Sequence, residues 1–297
     1  MKNDILVSVC MITYNHEKYI SQAVEGVLMQ KTNFLIELII GEDCSTDNTR
    51  NICLEYKEKY PDIIKLLLSE KNLGMMQNFI TTLQSCTGKY IALCEGDDYW
   101  TDPHKLQKQV DFLEENLEFS SIACKAKLIG NLSGDFGLEK SRILIINDFT
   151  KHRPFHTASF LFRKKYIEGL QFPQILSSDR FLYFFLASKG NIYYSEEIMV
   201  IYRKHSEGLS SVVTFNMMKK DLNIIEFFKD DNSIPSETYK KLKIHILKTM
   251  IQYSTKINFR QFITTYMQLV KLNGISYSDS FKLTKNFLYK AIISRLK

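Results

Sequence analysis

The sequence predicts an α/β fold: a mixed, mostly parallel, Rossmann-like sheet flanked by helices, with a helical extension at the C-terminal end. Strand-like and helix-like segments alternate through the first hundred residues, and beyond residue 211 the pattern is helical throughout. Such alternation favours parallel strands joined by right-handed crossovers. Two acidic clusters follow apolar runs in the first hundred residues. Because ligands of such sheets bind beyond the carboxyl ends of the strands, both clusters are expected at a binding edge.

The first four strands are predicted from short apolar runs, and the helices between them from apolar residues at helical spacing. The strands are expected at 5–12, 34–40, 63–68 and 89–94, and the helices at 17–30, 47–60 and 74–86. The less regular middle predicts a helix at 103–117, strands at 121–129, 141–146 and 157–163, a helix at 179–189, and one or two strands over 191–202. The extension predicts helices at 214–229, 236–254, 258–271 and 278–296.

A domain boundary is expected near residue 212, where the mixed pattern gives way to helices alone. The first domain would span 1–212, in two halves at 1–100 and 101–212, and a basic helical region would span 213–297. From Glu237 onward the chain has 12 Lys/Arg and 2 Asp/Glu, whereas the net charge of the whole chain is +6. The body is therefore mildly acidic and the extension strongly basic.

Composition indicates a globular protein with a sizeable core, at 297 residues with 45% hydrophobic and 24% charged residues. The six cysteines form no Cys-x-x-Cys pair, and several lie inside apolar runs, which favours a reducing, cytoplasmic setting. No apolar run approaches the roughly 18 residues needed to span a bilayer. The N-terminal residues lack the length and cleavage site of a signal peptide. We expect a cytoplasmic protein, either free or peripheral at the inner face of the plasma membrane.

The two acidic clusters span residues 41–49 and 95–98. Adjacent carboxylates at the end of a buried strand repel one another unless something offsets the repulsion. A divalent cation bridging a diphosphate would do so, as would hydrogen bonds to a base and ribose. Acidic helix caps on a solvated edge are the alternative. A dinucleotide site of the Gly-x-Gly-x-x-Gly type is not favoured, because Thr13-Tyr14-Asn15 follows the first strand.

Taken together, the motifs resemble those of the family 2 glycosyltransferases, a large inverting group with the GT-A fold. The matching segments lie at 7–15, 42–49, 72–74, 88–91, 95–98, 178–179 and 202–205, in the family's order, and cover roughly residues 5 to 210. The resemblance implies metal-dependent transfer of a hexosyl or N-acetylhexosaminyl group from a nucleotide diphosphate sugar. The implied acceptor is a hydroxyl of a glycan or lipid-linked saccharide in surface polysaccharide biosynthesis, such as lipopolysaccharide or capsule.

The resemblance also implies a donor site. Thr13 and Tyr14 look like a wall for the base, and Glu17 like a ribose or base contact. Asp43 is similar to the carboxylate that accepts the uracil N3–H; this favours a UDP-sugar, because cytosine N3 carries no proton. A plain turn and a helix cap are the structural alternatives for these loops. The remaining donor-site candidates are Asn15, Asn72, Gly74, Lys89, Glu95, Asp97 and Arg203. Arg203 is expected to pair with a phosphate, and Lys89 either reaches the diphosphate or is a solvated lysine at a strand edge. By the same resemblance, residues 1–100 form a nucleotide-binding half and residues 101–212 an acceptor half.

Glu95-Gly96-Asp97-Asp98 occupies the position of the family's metal motif in a variant spelling. Asp98 is expected to bind Mn²⁺ or Mg²⁺, and the spelling leaves open whether Glu95 or Asp97 is its partner. Carboxylate oxygens suit either hard cation. His205, in Tyr202-Arg203-Lys204-His205, is a further metal-ligand candidate or an element of a loop over the donor.

Asp179 resembles the family's catalytic base, which deprotonates the acceptor hydroxyl. An N-cap of the helix that follows is the structural alternative, and one role does not exclude the other. His156 is an acceptor-pocket candidate. Trp100, two residues after the metal motif, is a candidate sugar platform, with core packing as its alternative.

The basic extension is expected to contact an anionic membrane surface, or else to form an ordinary helical bundle or a homo-oligomer interface. Its basic residues include Lys240, Lys241, Lys243, Lys248, Lys256, Arg260, Lys282, Lys285, Lys290, Arg295 and Lys297. Nucleic acid is not expected, because the body is acidic and carries no nucleic-acid motif. Two rival functions are a sugar-1-phosphate nucleotidyltransferase, which would need a glycine-rich basic loop after the first strand, and a non-catalytic sugar-nucleotide-binding or membrane-scaffold protein.

Overall fold

A computed structural model describes residues 5–151, 153–205, 214–253, 257–276, 278, 280–285 and 287. The chain divides into two compact units, each built from three segments that alternate along the sequence. The first contains Met1–Ile145, Arg153–Leu170 and Phe185–His205, and the second contains Ile146–His152, Gln171–Phe184 and Ser206–Lys297. The second unit thus includes two segments from within residues 1–212. A functional boundary near residue 212 stays a prediction.

The first unit is built on a sheet that has ten strands in the described part of the chain. The strands are β1 (Ile5–Thr13), β2 (Leu35–Glu42), β3 (Ile64–Leu68), β4 (Tyr90–Leu93), β5 (Tyr99–Trp100), β6 (Phe119–Gly130), β7 (Gly134–Phe136), β8 (Arg142–Leu144), β9 (Leu161–Arg163) and β10 (Asn191–Lys204). The helices between them are α1 (Ile20–Leu28), α2 (Thr49–Lys59), α3 (Met75–Gln84) and α4 (Lys105–Glu115).

The strand order is β3-β2-β1-β4-β9-β6-β10-β5, with β7 paired to β6 and β8 to β10. The first four strands are parallel to their neighbours among themselves, and β10 is parallel to β6. The short strands β5, β7, β8 and β9 pair antiparallel. The predicted mixed α/β sheet flanked by helices is confirmed, and the alternation in the first hundred residues is its parallel part.

The central strands are buried on both faces, as their uninterrupted apolar runs predict. Val7, Val9 and Met11 of β1 are fully buried, and α1 buries Ile20 and Val24 in the same core. Each such side chain contributes about 1.5–3 kcal/mol of burial free energy. The core therefore fixes the register of β1, and with it the position of the loop that follows.

Two local predictions are wrong, and two short strands were not predicted. Residues Thr157–Ser159 form a 3₁₀ helix, so the strand expected at 157–163 is reduced to Leu161–Arg163. The helix expected at 214–229 is two short helices, α6 (Phe215–Lys219) and α7 (Leu222–Phe227). Strands β5 and β7 were not expected, because two or three residues carry no readable period.

All regular secondary structure in the described part of the second unit is helical. It holds the first part of α5 (Ser178–Lys189), then α6, α7, α8 (Ser236–Tyr253) and α9 (Phe259–Lys271). Of the helix expected at 278–296, residues 278, 280–285 and 287 are helical and the others lie outside the described residues. Lys256, Lys290, Arg295 and Lys297 also lie outside them. None of the described helices combines the length and apolarity needed to cross a membrane.

Lys105 is an unusual feature of the first unit because it is fully buried at the start of α4. Its Nζ donates to Oε1 of Gln109 at 2.9 Å and lies 4.1 Å from the centroid of the Trp100 ring. Burial lowers the pKa of Lys105 to about 8. The folded state therefore binds this proton more weakly than the unfolded chain does.

We predict that Lys105 makes stability rise with pH between about 8 and about 10.4, because the unfolded chain binds more protons in that range. The Lys105→Met variant should be more stable than the wild type near neutral pH, by on the order of 3 kcal/mol before lost contacts are subtracted. That advantage should shrink as the pH rises through the same range. Urea unfolding across this range measures it, with the exposed Lys127→Met as control. Parallel pH curves for wild type and Lys105→Met would contradict the prediction.

Candidate active site

The first acidic cluster is neutralised mainly by the protein itself. Glu42 ends β2 with a fully buried side chain, and Nε of Arg50 lies 2.5 Å from its Oε2. The backbone N–H of Ser45 donates to Oε1 of Glu42 at 2.6 Å. Because a cation and an amide already serve this buried carboxylate, it needs no metal ion.

Asp43 fixes the loop that leads into α3. Its two carboxylate oxygens accept the backbone N–H groups of Leu73 (2.7 Å) and Gly74 (2.9 Å), and Nδ2 of Asn72 donates to its carbonyl oxygen at 3.2 Å. Gly74 has a φ of 82°, in the region that favours glycine. The structure therefore brings together three of the predicted donor-site residues, and it gives Asp43 a positioning role at the same time.

The loop after β1 is tied to the first acidic cluster by reciprocal hydrogen bonds. Oδ1 of Asn15 accepts the N–H of Thr46 at 2.8 Å. Oε2 of Glu17 accepts the N–H of Asn48 at 2.9 Å, while Asp47 accepts the N–H of Glu17 at 3.0 Å. These bonds hold Asn15 and Glu17 beside the start of α2.

Main-chain bonds bring the loops after β1, β2 and β4 to one edge of the sheet. The carbonyl of Thr13 accepts the N–H of Asp43 at 3.1 Å, and the carbonyl of Ile12 accepts the N–H of Gly96 at 3.0 Å. Thr13 is buried, whereas the Tyr14 ring is 41% exposed and free to meet a ligand. The sequence placed these loops at the same edge because parallel strands end there together.

Gly96 lets the second acidic cluster approach the loop after β1. A Cβ at this position would lie 2.7 Å from Oγ1 of Thr13 and 3.1 Å from Nδ1 of His16. Both distances are shorter than ordinary contacts, so a side chain there would push the two loops apart. The glycine of Glu95-Gly96-Asp97-Asp98 is thus required by packing.

Asp98 is the most deeply buried carboxylate of the second cluster, at 2% exposed. Its Oδ1 accepts the backbone N–H of Arg203 at 2.8 Å, and its Oδ2 lies 3.4 Å from Nδ1 of His156. Burial, followed by the charges of Asp97 and Glu95, raises the pKa of Asp98 well above its usual range. The site therefore disfavours a bare negative charge on Asp98 and favours a proton or a cation beside it.

Glu95, Asp98 and His156 form a group that could hold a metal ion, identified among the described residues. One ligand atom from each lies within 4.8 Å of the others. The N–H of Ala158 donates to Nδ1 of His156 at 3.3 Å, so an acceptor nitrogen faces the acceptor Oδ2 of Asp98. Two acceptors facing each other are stabilised by a cation between them, and this donor set of two carboxylates and an imidazole suits a divalent ion.

The imidazole of His156 is held in place from its face. The ring stacks on Tyr202 with centroids 3.7 Å apart and planes inclined by 22°, and Phe136 meets it edge-on at 5.9 Å. His156 was expected in the acceptor pocket. The structure places it against Asp98, because the 3₁₀ turn at Thr157–Ser159 carries it to the metal motif.

Asp97 points to a different set of partners. Its Oδ2 lies 3.0 Å from Nε2 of His205 and 3.9 Å from Nε2 of His16, and the His205 ring lies 5.1 Å from the Tyr19 ring. Burial opposes ionisation of Asp97, but the His205 hydrogen bond and the nearby His16 lower its pKa below the usual value. The structure therefore separates two pairs, Asp98 with His156 and Asp97 with His205.

Arg203, a candidate phosphate contact, braces the second acidic cluster. Its Nη1 donates to the carbonyl of Asp97 at 2.8 Å, and a second guanidinium nitrogen contacts Gln22 of α1. The guanidinium lies over the rings of Tyr99 (4.4 Å) and Tyr19 (5.1 Å). Cation–π contacts on two sides leave this side chain little freedom to move.

Two predicted residues are not brought to this edge. Lys89 precedes β4, at the opposite end of the strand from Asp98, and its Nζ pairs with Glu114 at 2.5 Å. Trp100 is 1% exposed, and its Nε1 donates to the carbonyl of Ala158 at 2.8 Å. Lys89 therefore has no route to the diphosphate by this geometry, and Trp100 packs in the core instead of offering a sugar platform.

Asp179 lies in the second unit, in the first turn of α5, where its Oδ1 accepts the N–H of Arg180 at 2.7 Å. The segment before it is held by Asp221, which is 2% exposed. Oδ1 of Asp221 accepts the N–H groups of Leu176 (2.8 Å) and Ser177 (2.9 Å), and its Oδ2 accepts the Ser177 hydroxyl at 2.6 Å. A buried carboxylate thus fixes the entry to the helix that carries Asp179.

Sequence reasoning missed two residues that matter in this arrangement. His16 directly follows Thr13-Tyr14-Asn15, and a histidine beside that loop could have drawn attention to it. Asp221 lies in no motif and 42 residues beyond Asp179 along the chain, so no local pattern points to it. Its role is visible only from its contacts with the segment before α5.

The sheet and the acidic loops at its carboxyl edge are those of a GT-A glycosyltransferase, and comparison with known proteins identifies the family. Residues 8–170 match the glycosyl transferase family 2, and the chain belongs to that family. An uncharacterized protein of Mycobacterium tuberculosis is 35% identical over 207 residues, which cover 68% of this chain and 60% of that protein. The chain thus spans about 60% of the length of the mycobacterial relative.

Two further comparisons bear on the fold and the family. The Escherichia coli protein WfgD, named as a UDP-Glc:alpha-D-GlcNAc-diphosphoundecaprenol beta-1,3-glucosyltransferase, is 28% identical over 190 residues, covering 64% of this chain and 73% of WfgD. The crystal structure of S. aureus TarS in complex with UDP-GlcNAc superposes with a TM-score of 0.59 at 19% identity, covering 98% of this chain and 92% of that one. The likeness to TarS shows a GT-A fold, as expected.

We predict that Asp221→Ala loosens the entry to α5. The variant removes three part-buried hydrogen bonds, from two backbone N–H groups and a hydroxyl, each of which contributes about 0.5–1.5 kcal/mol net. Thermal unfolding should show a clear loss of stability, and hydrogen exchange should speed up at the Leu176 and Ser177 amides. The smaller change Asp221→Asn keeps an oxygen that can accept the two N–H groups, so its loss of stability should be smaller. The exposed Asp230→Ala serves as control. An unchanged exchange rate at both amides in Asp221→Ala would refute the anchoring role.

Proposed function

We propose that this chain is an inverting, metal-dependent glycosyltransferase. It transfers a hexosyl or N-acetylhexosaminyl group from a UDP-sugar to a hydroxyl of a glycan or lipid-linked saccharide in surface polysaccharide biosynthesis. The observation that carries the proposal is the group of half-buried Glu95 and buried Asp98 and His156 at the carboxyl edge of a GT-A sheet. Membership of glycosyl transferase family 2 and the likeness to WfgD support the activity and the lipid-linked acceptor.

The proposed metal ligands are Glu95, Asp98 and His156, and the ion is Mn²⁺ or Mg²⁺. A bound ion of this kind would neutralise charge on the donor diphosphate. The proposed roles of the two histidines therefore differ from those expected from the sequence: His156 would bind the metal, and His205 would orient Asp97. Asp97, with His205 and His16 around it, would then present its carboxylate to ribose or sugar hydroxyls.

The proposed donor base lies between the loop after β1 and the loop before α3. Tyr14 would stack on the base from its exposed position, and Asp43 would accept the uracil N3–H with lone pairs that its two backbone donors leave available. Glu17 and Asn15 act by holding the adjoining loop. The cytoplasm is the proposed site of action, in line with six free cysteines.

The proposed catalytic base is Asp179. A carboxylate in the first turn of a helix, on a segment anchored by Asp221, is held in a fixed direction. It would take the proton of the acceptor hydroxyl as that oxygen attacks the anomeric carbon of the donor. The bond between this carbon and the diphosphate oxygen would break in the same step, and UDP would leave. Arg203 supports the reaction from a distance by bracing the backbone of Asp97.

The donor class is tested by thermal unfolding of the protein with UDP-, GDP- and TDP-linked sugars, each with and without Mn²⁺. A ligand at a hundred times its dissociation constant stabilises the folded state by about 2.7 kcal/mol. We expect the largest shift with a UDP-sugar and Mn²⁺ together. A larger shift with a GDP-sugar would overturn the assignment of uracil to Asp43 but leave the transferase proposal intact.

The metal ligands are tested by direct Mn²⁺ titration, with electron paramagnetic resonance as the measure of bound Mn²⁺. Asp98→Asn and His156→Gln should each weaken Mn²⁺ binding by at least about tenfold. His205→Gln and the exposed Asp135→Asn should leave it nearly unchanged. If His205→Gln weakens binding and His156→Gln does not, the metal site is the one that the sequence motif predicts.

Asp179→Asn should lower kcat by about 10²–10⁴-fold, because it removes the proton acceptor while keeping the shape of the side chain. The thermal shift produced by the donor and Mn²⁺ should persist in this variant. The exposed Asp230→Asn provides a matched control in the same unit. Loss of donor binding together with activity would assign Asp179 to structure.

A further inference from the structure

Helix α9 carries a continuous apolar stripe that faces solvent. Its members, which we call the apolar stripe, are Phe259 (67% exposed), Ile263 (39%), Met267 (50%) and Val270 (41%). The helix is well defined at its start by a capping box, in which the Asn258 and Gln261 side chains each accept a backbone N–H of the other residue. An exposed stripe on a properly capped helix is an ordered surface, and the fold has not used it as core.

The stripe is distinct from the face that α9 buries. At about 100° per residue, the four side chains fall within an arc of about 80° on one side of the helix. Phe262, Thr265 and Leu269 are buried and project from a different side. The helix therefore has two apolar faces, of which one serves the core of the second unit and the other is left to a partner.

The charges beside the stripe select the partner. Arg260 and Lys271 are exposed and lie next to the stripe on the helix, at the edge away from the buried face. Lys282 and Lys285 are exposed on the segment that follows, beside the 70% exposed Phe281. Asp279 is the only acidic residue of the sequence from 257 to 297. A neutral apolar partner would leave this excess of cations unmatched, whereas an anionic lipid surface matches it.

We propose that α9 docks on an anionic lipid bilayer, lying in the plane of the interface. The apolar stripe enters the boundary between headgroups and acyl chains, and Arg260 and Lys271 contact lipid phosphates. Exposed aromatic and aliphatic side chains bordered by cations are the pattern of interfacial helices. This surface does not depend on glycosyl transfer, and its failure would leave the proposed enzyme untouched.

The test is co-flotation of the full chain with vesicles of phosphatidylcholine alone or mixed with phosphatidylglycerol. We expect flotation with the mixed vesicles only, and less of it at high salt, because the charges are screened. Phe259→Ser combined with Met267→Ser should weaken binding by about tenfold or more. Arg260→Gln and Lys271→Gln should each weaken it about fivefold at low salt. Gln268→Ser on the same helix and Leu117→Ser, which removes a 70% exposed leucine of the first unit, should bind like the wild type.

Thermal unfolding of each variant checks that it is folded. If the double serine variant is not folded, the Arg260 and Lys271 variants still test the proposal. Absence of flotation with the mixed vesicles would overturn the proposal, as would equal flotation with both kinds of vesicle. Sedimentation velocity adds a third outcome. A dimer that forms with rising concentration and disappears in the double serine variant would assign the stripe to a second copy of this chain.

Discussion

The burial of the Asp98 carboxylate is the constraint on which the second acidic cluster depends. Taking a carboxylate out of water beside two others is unfavourable, and its raised pKa expresses that cost. The fold offsets part of it with the backbone N–H and the nearby charge of Arg203. Because the pKa of Asp98 stays raised despite both, the site retains a demand for a proton or a cation. That demand, placed at the carboxyl edge of a parallel sheet, is what makes the loop a candidate for binding a metal.

The first acidic cluster satisfies the same electrostatic problem in the opposite way. Glu42 has the guanidinium of Arg50, and Asp43 has two backbone amides, so both charges are served from within the protein. Its carboxylates therefore shape the loops more than they attract ions. Two clusters that look alike in the sequence divide into a scaffold and a site, and the difference lies in which partners the fold supplies to each.

Features that depend on hydrophobic periodicity and on where strands end could be predicted from the sequence. Features that depend on contacts between distant segments could not. The parallel strands and the meeting of Thr13, Asp43 and Asp98 at one edge follow from alternation alone. The position of His156 does not, because it rests on a 3₁₀ turn where β-branched and aromatic residues suggested a strand. Trp100 illustrates the same limit. Its indole N–H donates to the carbonyl of Ala158, 58 residues away, and its position near the metal motif in the sequence gives no sign of that bond.

Asp221 shows how a helical extension can matter to a motif that precedes it. The Leu176 and Ser177 amides lie just before α5, where a loop would otherwise leave them to water. A carboxylate supplied from the linker between α6 and α7 binds both and the Ser177 hydroxyl as well, which removes the freedom of the loop at the point where Asp179 begins the helix. An aspartate at a helix start is common and by itself only a cap. On a segment that a second, buried aspartate holds, Asp179 follows an ordered helix entry, and an ordered position is what the proposed proton acceptor requires.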